Sequence, residues 1–85
     1  MKVLIGISQS RDDANQYCRQ HLPMLSAPLQ VGPFFSRKQA LAWRKELATR
    51  IQNSEIIEIP ESCPADIRQG KWYGFTFEEE QRERK

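Results

Sequence analysis

The order of hydrophobic and polar positions predicts a strand and then a helix at the start of the chain. Residues 3–7 are a β-branched and apolar run that gives way to a polar cluster, which is typical of a buried strand. A helix is expected over residues 11–22, because Ser8 or Ser10 can cap its first turn. The helix should end before Pro23, since the proline ring disfavours helix at the residue that precedes it.

The middle of the chain predicts a short strand and a second helix. Leu29 and Val31 alternate with polar residues between prolines, and prolines limit the length of a strand. Ser36, followed three residues later by Gln39, forms the pattern of a capping box. Apolar residues then recur at helical spacing, so the second helix is expected over residues 37–51.

A third strand and a loop follow the second helix. Ile57 and Ile59 fall on one face of a half-buried strand over residues 54–59. Residues 60–70 hold two prolines and a glycine, which predict a loop. The strands on either side of this loop are expected to form an antiparallel pair.

The last strand is predicted over residues 71–78, which alternate strictly between two faces. Aromatic side chains at a period of two usually pack inward, so three of them are expected in the core of the sheet. These three are Tyr73, Phe75 and Phe77. Trp72 falls on the opposite face and is expected to point outward. Residues 79–85 are wholly polar, and we expect this tail to fray.

These elements predict one small α+β domain over residues 1–78, of order β-α-β-α-β-β, with two helices packed on one face of a small sheet. A chain of 85 residues is long enough for one hydrophobic core and too short for two. No run approaches the ~18 consecutive apolar residues of a membrane span, and the first apolar stretch is too short for a secretory signal. We therefore expect a cytoplasmic protein without a membrane partner.

Composition gives little sign of catalysis. The two cysteines are too few for a disulfide framework. Cys18 and His21 share one helix face, but a closed zinc site needs four ligands and the sequence supplies no second pair. Neither cysteine is accompanied by an oriented base. The prediction is a protein that is not an enzyme, with no catalytic residue, metal, cofactor or small-molecule substrate indicated.

The second helix and the aromatic residues near it supply the candidate binding surface. Basic residues recur there in pairs seven apart, which predicts a basic stripe on the side away from Ala40 and Leu47. Aromatic residues and arginine dominate the energetics of protein interfaces. We therefore predict a non-catalytic binding or adaptor module that docks a protein partner of unknown identity. Its contact residues are predicted to be Phe34, Phe35, Arg37, Lys38, Arg44, Lys45 and Trp72.

The alternative is a nucleic-acid-binding domain that uses the same basic stripe. The net charge of +2 is too mild to indicate such a partner by itself. Residues 71–77 partly match an RNA-recognition strand pattern, but in that fold the aromatic strand precedes the second helix. Salt separates the hypotheses, because affinity for nucleic acid falls steeply with salt whereas aromatic docking responds little.

Residues 29–40 have the sequence Leu-Gln-Val-Gly-Pro-Phe-Phe-Ser-Arg-Lys-Gln-Ala. This stretch resembles the first strand and helix of SPOR domains, septal peptidoglycan-binding modules with a V-G-P-F-x-[ST]-x-x-x-A signature. The resemblance implies a strand, a turn and a helix here. The sugar-binding role is not carried over, because those domains repeat a β-α-β unit and this chain has its first helix in a different place.

Overall fold

A mixed sheet of four strands lies at the centre of the fold. The structure is a computed structural model that describes residues 2–22, 24–61 and 70–79. The strands are β1 (Val3–Ser8), β2 (Leu29–Phe34), β3 (Ser54–Ile56) and β4 (Trp72–Glu78), and the helices are α1 (Arg11–Gln20) and α2 (Arg37–Arg50). The α+β class and the predicted order of the elements are confirmed.

Within the sheet the strands follow the order β2-β4-β1-β3. β4 pairs antiparallel with both β1 and β2, and β1 pairs in parallel with β3. The antiparallel pair predicted between the last two strands is wrong, because β1 and β2 occupy both sides of β4. β3 forms one edge of the sheet, and Ile57 N donates to Ile5 O at 2.9 Å just beyond the end of that strand.

Serine side chains cap both helices. Ser10 Oγ accepts from the backbone N–H groups of Asp12 and Asp13 at 3.1 and 3.3 Å, so Ser10 rather than Ser8 is the cap of α1. Ser36 Oγ accepts from Gln39 N at 3.3 Å, as the capping box predicts. Each cap satisfies backbone donors that have no partner inside the helix, and it thereby fixes where the helix begins.

The two helices lie on opposite faces of the sheet. The rings of Tyr17 in α1 and Phe77 in β4 are 5.4 Å apart. Gly74 in β4 instead faces α2, because a β-carbon at this position would overlap the ring of Trp43. Side chains alternate between faces along a strand, so positions 74 and 77 face opposite ways. The prediction that both helices pack on one face is therefore corrected.

The strand order explains this arrangement. β1, β2 and β3 all run in the same direction, since β4 is antiparallel to β1 and to β2 and β3 is parallel to β1. The connection through α1 moves towards the β2 edge, and the connection through α2 moves back across the sheet to the β3 edge. Crossovers between parallel strands are right-handed, so opposite directions of travel place the helices on opposite faces.

The main core lies between α1 and the sheet. Phe75 and Phe77 are fully buried there, which confirms the predicted aromatic face of the last strand. Its buried residues are Ala14, Cys18, Leu25, Ile57, Ile59, Phe75 and Phe77. Glu79, predicted to begin the frayed tail, forms a bridge with Leu25, and residues 80–85 of the predicted tail lie outside the described residues. Within the described ranges, neither helix has the length and apolar character needed to cross a membrane.

Candidate functional site

Four predicted contact residues come together where β2 meets the start of α2. Phe34 pairs in register with Trp72 on β4. The guanidinium carbon of Arg37 lies 5.7 Å from the ring centroid of Trp72, within the range of a cation–π contact. Phe35 adjoins them at the bend and is 83% exposed. We call Phe34, Phe35, Arg37 and Trp72 the aromatic patch.

Local backbone structure holds the patch in place. The register of β2 shifts between Val31 and Phe34, where Gly32 has a φ of 128° that favours glycine. Gln39 Oε1 accepts from Phe35 N at 2.9 Å, which fixes the backbone of the bend. The backbone of this turn is therefore fixed, and the side chain of Phe35 faces solvent.

Trp43 in α2 packs between the aromatic patch and the sheet. Its ring lies 5.7 Å from the ring of Phe34 and also covers Gly74. The small residue on β4 leaves the space that the indole occupies. The sequence signal for this contact is the single glycine on the face of the last strand opposite the aromatic side chains.

Trp72 occupies the predicted face of β4 but is only partly exposed. It lies on the opposite face from Tyr73, as strand periodicity requires. α2 packs on the face of β4 that carries Trp72, and Arg37 lies over the indole. The Trp72 side chain is therefore half-buried. The prediction of an outward-pointing tryptophan is corrected to a partly covered one, because α2 and α1 do not share a face.

The structure does not form the predicted basic stripe. Arg44 is buried at 9% exposure and donates from Nη1 to Ile57 O at 3.1 Å. Ala40 is also buried, and a residue four positions further along a helix lies on the same face. Arg44 therefore belongs to the inner face of α2, and its predicted place in the stripe is wrong. Lys38 and Lys45 are exposed.

Cys18 in α1 and His21, which caps the end of that helix, make separate hydrogen bonds. Cys18 is a buried thiol that donates to Ser26 O at 2.9 Å, whereas His21 Nδ1 lies 3.0 Å from Tyr17 O. No cluster of three or more histidine, cysteine, aspartate or glutamate side chains suited to a metal occurs among residues 2–22, 24–61 and 70–79. Cys63 lies outside the described residues.

Comparison with known proteins does not assign a function to this surface. The implied strand, turn and helix of residues 29–40 are present as β2, the bend at Phe35 and Ser36, and the start of α2. The same arrangement serves any strand that leads into a capped helix. Searches against family models, curated proteins and solved structures found no match.

Proposed function

We propose that this protein is a non-catalytic binding or adaptor module that docks a protein partner through the aromatic patch. The observation that carries the proposal is the 83% exposure of Phe35 on an ordered bend beside Arg37 and Trp72. Covering a large solvent-exposed aromatic side chain with a partner surface stabilises the complex.

The composition of the patch matches the residues that dominate protein interfaces. Tryptophan and arginine are enriched at binding hot spots, and hot spots gather in small central clusters. Arg37 lies over Trp72, which limits the freedom of both side chains before binding. Side chains that are already ordered lose less conformational entropy when a complex forms.

Nucleic-acid binding, the alternative hypothesis, has weaker support. Arg44 is on the inner face of α2, and Arg37 lies over an aromatic ring. Arg37, Lys38 and Lys45 remain as exposed cations of the expected stripe. Because each phosphate contact adds to the salt dependence, three cations support only weak binding that falls away at moderate salt.

A photo-crosslinking experiment tests the protein-docking proposal. Benzoylphenylalanine is placed at position 35 in the full chain and, as a matched control, at position 45 on the exposed side of α2. Lys45 is exposed but lies outside the aromatic patch, to which the proposal assigns docking. We therefore expect a discrete adduct in the native cell from position 35 and none from position 45. The identified partner is then titrated with wild-type protein, Phe35→Ala and Lys45→Ala.

The titration gives a quantitative criterion. Phe35→Ala should weaken the complex by about 2 kcal/mol or more, the usual scale for an aromatic hot spot, and Lys45→Ala should leave it nearly unchanged. Equal affinities for the two variants would contradict the proposal. Submicromolar binding of oligonucleotides at low salt that falls by orders of magnitude at higher salt would favour the alternative.

A further inference from the structure

A cleft of about 220 Å³ lies on the α1 face of the sheet, at the end of β4 remote from the aromatic patch. The buried side chains of Leu25 and Ile57 give it an apolar lining. Tyr17 and His21 also line it, and their rings stack with centroids 4.2 Å apart. The cleft therefore has apolar and flat aromatic surfaces that suit a hydrophobic group.

The charged residues of the cleft carry a net negative charge. They are Lys2, Glu55 and Glu79. The ammonium of Lys2 forms a salt bridge with Glu55, which neutralises one carboxylate. Glu79 forms no salt bridge within the part of the chain that the structure describes. The hydrogen bond and charge of Glu55, and to a lesser extent the charge of Glu79, raise the pKa of Lys2. One cation therefore acts on two carboxylates, and a net negative charge remains to attract a further cation into the cleft.

Polar groups in the aromatic lining add a hydrogen-bond acceptor. The carbonyl of Tyr17 can only accept, so His21 Nδ1 at 3.0 Å must donate to it. In the neutral imidazole this leaves Nε2 as an acceptor. Burial and the charge of Glu55 raise the pKa of Tyr17, which keeps its phenol neutral. The neutral phenol of Tyr17 adds no charge to the cleft.

We infer that this cleft binds a small organic ammonium ion that bears one apolar ring or a short apolar chain. The ammonium group lies at the carboxylate of Glu79, and the apolar group lies against Tyr17, Leu25 and Ile57. The volume is below the about 300–1,000 Å³ of pockets for drug-sized ligands, so a single ring with a short chain is the upper limit. This site is independent of the aromatic patch.

An NMR titration of the full chain tests the charge preference. Phenethylammonium is compared with 2-phenylethanol, which is neutral, and with 3-phenylpropionate, which is an anion of similar size. We expect the amine to shift backbone amide signals of the cleft residues in a saturable way. The alcohol should bind at least three-fold more weakly, and the carboxylate should not bind measurably.

Single substitutions test the assigned groups. Glu79→Gln should weaken amine binding at least three-fold, whereas Glu78→Gln, the adjacent exposed carboxylate on the other face of β4, should leave it unchanged. Lys2→Met removes the cation that competes for Glu55 and should strengthen amine binding by about two- to five-fold, the range for an exposed ion pair.

The sign of the Lys2 effect separates binding from a structural role. If the two substitutions merely disturbed the structure of the cleft, Glu79→Gln and Lys2→Met would both weaken amine binding. The inference is overturned if the alcohol binds as tightly as the amine, if Glu79→Gln and Glu78→Gln bind the amine equally, or if Lys2→Met weakens binding. Amide spectra of each variant confirm that the fold is retained.

Discussion

Arg44 and Ile57 join α2 to the segment that follows β3. The guanidinium of Arg44 donates to the backbone carbonyl of Ile57 at 3.1 Å and lies 3.5 Å from the carboxylate of Glu58. The arginine is buried, whereas the glutamate side chain is 80% exposed. The hydrogen bond to the carbonyl is therefore the stabilising contact, because a solvent-exposed ion pair contributes little.

This contact predicts a stability difference between two neighbouring basic residues. Arg44→Ala should lower the free energy of unfolding by about 1.5–3 kcal/mol, because it leaves the Ile57 carbonyl without its charged donor. Lys45→Ala is the control and should cost less than about 0.5 kcal/mol at an exposed position. Urea denaturation measures both values. Similar midpoints would show that Arg44 does not hold the edge of the sheet.

Phe77 and Phe35 should differ strongly in how much each contributes to the free energy of unfolding. Phe77 is fully buried against Tyr17, so Phe77→Ala should destabilise the fold by about 3–5 kcal/mol. Phe35 is largely exposed, and Phe35→Ala should change stability by no more than about 0.5 kcal/mol. Thermal and urea unfolding followed by circular dichroism provide the comparison. A large loss for Phe35→Ala would mean that this residue serves folding instead of docking.

The effects on stability of substitutions at Gly74 and at Trp43 should depend strongly on each other. Gly74→Ala introduces a methyl group where the indole lies, which should cost about 1–3 kcal/mol. In a Trp43→Ala background the same glycine substitution should be nearly neutral, because the methyl group then has space. A double-mutant cycle measures the difference. Additive effects of the two substitutions would contradict the packing described.

Alkaline pH should weaken the fold through Tyr17. Burial and the charge of Glu55 raise the pKa of this phenol above its ordinary value of 10.0. The folded chain thus holds the proton more tightly than the unfolded chain, so this contribution is complete below pH 10.0 and is lost as pH rises through the folded-state pKa. Tyr17→Phe should flatten the decline in stability above pH 10.0. An unchanged slope in this variant would assign the decline to other groups.

Local features of this fold could be predicted from the sequence, whereas the relations between elements could not. The serine caps and the alternation of Phe75 and Phe77 depend on neighbouring residues, and both are as predicted. The pairing of β4 depends on contacts between distant parts of the chain. Strand order then determined which face each helix covers, and the sequence pattern contains no direct signal for it.

The candidate site shows the same division. The aromatic patch follows from the turn before α2 and from the face of β4, so its members could be named in advance. The prediction for Arg44 is wrong because its spacing of seven from Arg37 indicates a shared stripe, whereas its spacing of four from the buried Ala40 determines its face. The cleft beside α1 is lined by residues that are far apart in the chain, from Lys2 to Glu79, and no local sequence pattern indicates that they meet.

The central position of β4 constrains when the sheet can form during synthesis. Among the four described strands, β2 pairs with β4 alone, and β4 is the last of the four to leave the ribosome. Until then β2 has no strand beside it, and the apolar residues around α1 lack Phe75 and Phe77. Contacts between distant segments form late and slow the folding of a domain. A fragment that stops at residue 61 is therefore expected to give an amide spectrum with the narrow dispersion of an unfolded chain, and a well-dispersed spectrum would contradict this dependence on β4.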